Sequence, residues 1–198
     1  MTKRAVFLDK DGTLIEDIPY NVNPDLIRLT PGAAEGLQSL HVSGFKLIVV
    51  SNQSGVALGY FPEASLLAVE AKLSQLFAEI GVPLAGFYYC PHHPEGTVPG
   101  YNIDCACRKP EPGLILRAAQ EHEINLPESW LIGDILNDVE AGDRAGCQTI
   151  LLDNNNETEW LLTPQRLPDY LAIDLDQAAT IITSFVKRNP VRGGLASE

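Results

Sequence analysis

The sequence predicts an α/β fold: a mainly parallel sheet, doubly wound, with helices on both faces. Three observations carry this. Short apolar runs recur, such as Val6-Phe7-Leu8 and Leu47-Ile48-Val49-Val50, each of strand length and apolar enough to be buried on both faces. Stretches with apolar residues at helical spacing lie between them, as crossovers between parallel strands require. Polar clusters then follow the apolar runs, and in an open α/β sheet ligands bind where the strands end.

The elements follow in order. Residues 5–9 read as the first strand, leaving through Asp9-Lys10-Asp11-Gly12-Thr13, residues with which a chain exits a strand and turns. Residues 14–30 carry Pro19, Pro24, Asn21 and Asn23 without a clear period, and read as a loop. Pro31-Gly32 opens a helix from Ala33 to His41, with Leu37 and Leu40 at helical spacing and Gly44 as a stop. Phe45 to Val50 is the second strand, ending in Ser51-Asn52-Gln53-Ser54-Gly55. A long helix from Pro62 to Ile80 places Leu66, Leu67, Val69, Leu73, Leu76 and Phe77 on its apolar side.

Gly86 to Tyr89 is the third strand. It enters a Gly- and Pro-rich loop from Cys90 to Pro110, and a helix from Pro112 to Glu123 follows. Trp130 to Gly133 is the fourth strand, running into Asp134 and Asp138. A helix from Asn137 to Ala145 and a fifth strand from Gln148 to Leu152 come next. Asp153-Asn154-Asn155-Asn156 is a loop, 175–188 a last helix, and 189–198 a frayed tail. No second core or internal repeat is visible, so residues 1–188 read as one domain.

Of 198 residues, 45% are hydrophobic and 20% charged, ordinary for a soluble globular chain. No apolar run approaches the roughly 20 residues of a membrane span, and no signal peptide is visible, so a cytoplasmic protein is expected. Net charge is −12 with no Lys/Arg run, which argues against nucleic acid and anionic membrane as partners. The same field repels an anionic substrate, so a phosphate site needs local cations or a metal.

Asp9/Asp11, Ser51/Asn52 and Asp134/Asp138 all follow strands that share one sheet edge, and Arg108-Lys109 arrives in the loop before a helix. Converging carboxylates about 4 Å apart cost roughly 4 kcal/mol per pair at an effective dielectric near 20. Such a cluster needs a cation, and hard oxygen ligands suit Mg²⁺. For Asp138 an alternative is a helix N-terminal acid favoured by the dipole.

D-x-D-G-T, a strand ending S-N, a lysine before a helix and G-D-x-x-x-D, in this order, resemble the haloacid dehalogenase superfamily of phosphatases over residues 9–138. The resemblance implies a Rossmann-like fold and roles for each motif. Asp9 is the nucleophile, and Asp11 protonates the leaving oxygen and then activates water. Asp9, the Asp11 carbonyl and Asp134 hold Mg²⁺, Ser51 and Asn52 bind phosphate, and Lys109 neutralises Asp9 and the phosphoryl group.

Cys90-x-His92 and Cys105-x-Cys107 offer three sulfurs and an imidazole, a set that fits a structural zinc site. His93 competes with His92. The other reading, three free thiols, leaves a long loop with little means of ordering itself. Cys147, after Ala-Gly, reads as a small buried hydrophobe.

Tyr88-Tyr89-Cys90-Pro91-His92-His93-Pro94 and the later Cys-x-Cys-Arg-Lys-Pro resemble the D-glycero-D-manno-heptose 1,7-bisphosphate 7-phosphatases and the related histidinol-phosphate phosphatases. This implies a monomer without a large cap domain, and a phosphorylated sugar held by Asp17, Tyr20, Ser51, Asn52, Gln53, Ser54 and Arg108. Two positions depart from the heptose pattern: Leu58 stands where members commonly carry arginine, and Ile135 where many carry lysine. Both remove positive charge. Three readings stay open: a heptose bisphosphate phosphatase, a histidinol-phosphate or other small phosphomonoester phosphatase, and a zinc-stabilised scaffold without catalysis.

Overall fold

The computed structural model of the chain describes residues 3–157 and 160–188. The expected tail, 189–198, lies outside them. Among the described residues one sheet is built from β1 (Arg4–Leu8), β2 (Phe45–Asn52), β3 (Leu84–Cys90), β4 (Trp130–Gly133), β5 (Gln148–Leu152) and β6 (Tyr170–Ala172). The order is β3-β2-β1-β4-β5-β6, and every pairing is parallel. The chain starts at the centre, builds outwards to β3, then returns to lay β4, β5 and β6 on the other side of β1. The winding therefore reverses between β1 and β4, and this is where the carboxyl ends of an open sheet leave a crevice.

The helices are α1 (Ala33–Val42), α2 (Leu66–Glu79), α3 (Gly113–His122), α4 (Leu136–Ala145) and α5 (Leu175–Arg188). Alternation along β1 assigns their faces. Val6 and Leu8 join the core made with α1, α2 and α5, through Leu37, Leu40, Leu73, Phe77 and Ile182. Ala5 and Phe7 join the opposite core made with α3 and α4, through Leu114, Ile115, Ala118 and Ala141. Right-handed crossovers require this division, because the helices change face when the winding changes direction. Each fully buried Leu, Ile or Phe contributes about 1.5–3 kcal/mol over its exposed state.

Besides small shifts of boundary, such as β2 continuing through Ser51 and Asn52 where a turn is expected, the elements differ from expectation in three places. β6 has no apolar run to announce it: Tyr170 and Leu171 are exposed, and only Ala172 is buried. The long second helix begins as a 3-10 turn at Glu63–Ser65 and becomes α-helical at Leu66, with Leu67 outside its apolar face at 69% exposure. A short 3-10 turn, Pro24–Leu26, sits in the expected loop, capped by the Asn23 side chain accepting from the Asp25 N–H. Cys147 is buried as expected. No helix among the described residues is long and apolar enough to cross a membrane.

Candidate active site

β1 ends one residue before Asp9, whose N–H donates to Ile132 O of β4 at 2.9 Å. The nucleophile candidate is thus pinned by backbone at the switch point. The chain then turns at Gly12, with φ +77°. A Cβ there would lie 2.2 Å from Asp134 Oδ2, so only glycine lets the turn pass so close to that carboxylate. Thr13 Oγ1 in the same turn donates to Asp134 Oδ1 at 3.1 Å.

Asp9, Asp134 and Asp138 are all buried, and their carboxylates bring ligand atoms within 4.8 Å of one another. Lys109 is 3% exposed and ion-pairs with Asp9 and with Asp138 Oδ1, the latter at 2.6 Å, while its Nζ also donates to Val50 O at 3.0 Å. Burial opposes the ammonium charge, but Asp138 and Asp9 outweigh it and raise the Lys109 pKa. Burial first, then Asp9 and Asp138, push Asp134 up to about 7. Burial pushes Asp138 to about 6 even with Lys109 pulling it down. If all three ionised, the carboxylates would exceed the one ammonium by two negative charges in a site with little water, an excess that a divalent cation would balance. Besides pairing with Lys109, Asp138 accepts from Ile135 N–H through Oδ2 at 3.3 Å, capping α4.

Asp11 is more open than Asp9. Its Oδ1 meets Lys10 Nζ at 2.5 Å, and Oδ2 accepts from Gln53 Nε2 at 3.3 Å. Loss of solvent raises its pKa, and Asp9 adds to this against the opposing pull of Lys10. Lys10 is itself 1% exposed. Sequence reasoning passed over it because a lysine between two aspartates reads as a solvated side chain; nothing in its neighbours signals burial.

Asn52, besides lining the cleft, makes a contact the sequence did not announce. Its Nδ2 donates to Lys109 O at 3.0 Å, and its Oδ1 accepts from Lys109 N–H at 2.9 Å, so one amide brackets the backbone of the buried lysine. Ser51 is buried, its Oγ accepting from Gln53 Nε2 at 2.8 Å. Asp17, Tyr20, Asn52, Gln53 and Ser54 line a cleft of about 250 Å³ together with Lys10 and Asp11. Tyr20, at φ +55°, packs edge-on against Tyr60 with centroids 4.5 Å apart. Arg108 reaches Ser54 Oγ at 2.6 Å and His92 O at 3.4 Å, joining the cysteine loop to the cleft wall.

In that loop the Cys90, Cys105 and Cys107 sulfurs and His92 Nδ1 stand 3.1–3.7 Å apart in the contacts they make. A tetrahedron with metal–sulfur bonds of about 2.3 Å has edges of about 3.8 Å, so the four could hold one metal ion. No pair of them is joined as a disulfide. Burial raises the Cys90 thiol, while hydrogen bonds from Cys107 and Cys90 outweigh burial and lower Cys105. His93 turns away, its Nδ1 accepting from Glu95 N–H. The cluster is tied to α3 by Gly113, whose N–H donates to Ala106 O at 2.8 Å. A Cβ at Gly113 would sit 2.2 Å from that oxygen.

The chain is similar to known proteins in sequence and in fold. A family model described as HAD-hydrolase-like, HAD standing for haloacid dehalogenase, matches residues 106–178. The D-glycero-beta-D-manno-heptose-1,7-bisphosphate 7-phosphatase of Pasteurella multocida (strain Pm70) is 43% identical over 150 residues, covering 76% of this chain and 81% of that one. The chain belongs to this phosphatase family. The enzyme of the same name from Escherichia coli (strain K12) is 36% identical over 167 residues, covering 80% of this chain and 87% of its own. The crystal structure of D,D-heptose 1,7-bisphosphate phosphatase from B. bronchiseptica, complexed with magnesium and phosphate, superposes with a TM-score of 0.75. Its identity is 28%, over 92% of this chain and 99% of that one. As a family member the chain is a phosphomonoester hydrolase of the haloacid dehalogenase type.

Proposed function

We propose that the chain removes the 7-phosphate of D-glycero-D-manno-heptose 1,7-bisphosphate through an aspartyl-phosphate on Asp9. The buried Asp9–Lys109 pair carries the reading, since it sets a carboxylate with its charge locally balanced one residue before Lys10 and Asp11, which line the cleft. The names of the relatives support the substrate.

Asp9 attacks phosphorus while Asp11, its pKa raised, gives its proton to the departing sugar oxygen; the Asp9 O–P bond forms as the P–O(sugar) bond breaks. Asp11, now a carboxylate, takes a proton from water as that water attacks the same phosphorus. The Asp9–phosphate bond breaks, and inorganic phosphate leaves. Lys109 offsets the charge of Asp9 as each phosphoryl oxygen approaches. Mg²⁺, held by Asp9, the Asp11 carbonyl and Asp134, would supply further stabilisation of charge on the transferring group. Zn²⁺ on Cys90, His92, Cys105 and Cys107 would fix the loop that carries Arg108 and Lys109. Asp17, Tyr20, Ser54 and Arg108 would hold the sugar and its second phosphate.

The test is phosphate release with Mg²⁺ across both anomers of heptose 1,7-bisphosphate, histidinol phosphate and common hexose and pentose phosphates. A kcat/KM for one heptose bisphosphate at least tenfold above the rest is expected. A higher value for a monophosphate would mean that Leu58 and Ile135, by removing two cations, have redirected the pocket.

A further inference from the structure

The loop after β5 holds three asparagines, and two of them reach into the catalytic edge from the far side. Asn154 Nδ2 donates to Gly12 O at 2.7 Å, inside the turn that carries Asp9 and Asp11. Asn154 Oδ1 accepts from Asn156 N–H at 3.2 Å. Asn156 Nδ2 then donates to Asp134 Oδ2 at 2.7 Å. One residue further, Glu157 Oε2 accepts from Leu136 N–H at 2.5 Å, at the start of α4. Contacts from Asn154, Asn156 and Glu157 therefore join the β1 turn, the β4 carboxylate and the α4 N-terminus to one loop.

We propose that Asn156 is a positioning residue for the cation of this site, acting through Asp134 by way of the loop that Asn154 anchors. This rests on the reading of Asp134 as a Mg²⁺ ligand. Each carboxylate oxygen has two lone pairs. Thr13 occupies one on Oδ1 and Asn156 one on Oδ2, so both oxygens are aimed and each keeps a free lone pair. The donor is neutral. An arginine or lysine in its place would aim the carboxylate equally well but cancel the charge that attracts a divalent cation. Lys109, the cation nearby, is already committed to Asp9 and Asp138. Partners of this kind, which orient a ligand without touching the metal, typically account for 10–100-fold in metal affinity or activity.

Asn156 is exposed, so truncating it removes little packing. The experiment is calorimetric titration of Mg²⁺ alone into the phosphate-free protein, for wild type, Asn156→Ala, Asn154→Ala and Asn155→Gly. Asn156→Ala is expected to weaken Mg²⁺ by roughly 10–100-fold, and Asn154→Ala to weaken it less. Asn155→Gly, which removes an exposed side chain at φ +69°, is expected to match wild type. In turnover, the loss should appear as a higher half-saturating Mg²⁺ with kcat recovered at excess Mg²⁺, a pattern that general loosening of the fold would not give. Mg²⁺ affinity of Asn156→Ala within twofold of wild type would overturn the role of Asn156. A wild type that takes up no Mg²⁺ would overturn the ligand reading of Asp134 and this inference with it.

Discussion

Lys109 Nζ has two carboxylates and one carbonyl as partners and almost no water. Its position is therefore set by its backbone, which Asn52 brackets from both sides. Asn52→Ala should lower kcat by roughly 10²-fold with KM changed far less, since misplacing a catalytic group by about 1 Å costs that much. Steady-state kinetics check it, and a change confined to KM would return Asn52 to substrate binding. Asp9→Asn should abolish turnover by about 10⁴-fold or more, with the melting temperature nearly unchanged because Asp138 still holds Lys109. Residual turnover near wild type would remove Asp9 as nucleophile. The acids beside it predict a pH effect. Asp134 and Asp138, raised by burial to about 7 and about 6, bind protons more tightly when folded than unfolded. Without a cation, the stability they contribute is present below about pH 4 and falls as pH rises towards 7. Mg²⁺ replaces those protons, so the melting-temperature gain from a fixed Mg²⁺ concentration should be larger at pH 8 than at pH 5.5. A gain that shrinks with pH would contradict this.

At the scale of elements, the cysteine loop and the start of α3 act together. Cys107 precedes Arg108 and Lys109, and Gly113 N–H returns to Ala106 O, so the candidate metal ligands and the buried lysine share a few residues of chain. Cys107→Ser, or stripping the metal with a strong chelator, should lower both the melting temperature and kcat. Elemental analysis should find about one zinc per wild-type chain and much less in the variant. Full activity in a zinc-free protein would separate loop from catalysis. Tyr101 helps to brace the same loop against the turn before α2, its hydroxyl donating to Glu63 at 2.7 Å. On the other side of the site, Arg166 ties the segment before β6 to α4 through Glu140 at 2.7 Å and Asn137 at 2.8 Å. Loops from both halves of the sheet are thus fastened to the same edge.

For the whole molecule, one chain supplies the proposed nucleophile, its lysine, the acid cluster and the cleft wall. Light scattering should accordingly find full activity in a 21.6 kDa species; activity found only in a larger species would show that a second copy completes the site. The strands with strong apolar runs, β1, β2, β4 and β5, were legible from sequence, because burial on both faces demands continuous hydrophobicity. So were Asp9, Asp11, Asp134 and the cysteine cluster, because those residue types follow a strand or share a loop at ligand spacing. β6 was not legible: an edge strand with one buried residue writes no pattern. Lys10, Thr13 and the Asn154–Asn156 pair were missed as well, although the rule that led to Asp134, that groups after a parallel strand gather at one edge, applied equally to β5. The sequence by itself determined the layers and the chemistry of the strand ends, since periodicity and residue type act locally. Only the tertiary structure decided which polar side chains face each other. Asn52 meets Lys109 across 57 positions and Asn156 meets Asp134 across 22, and hydrogen-bond geometry between such distant positions follows from how the sheet is wound.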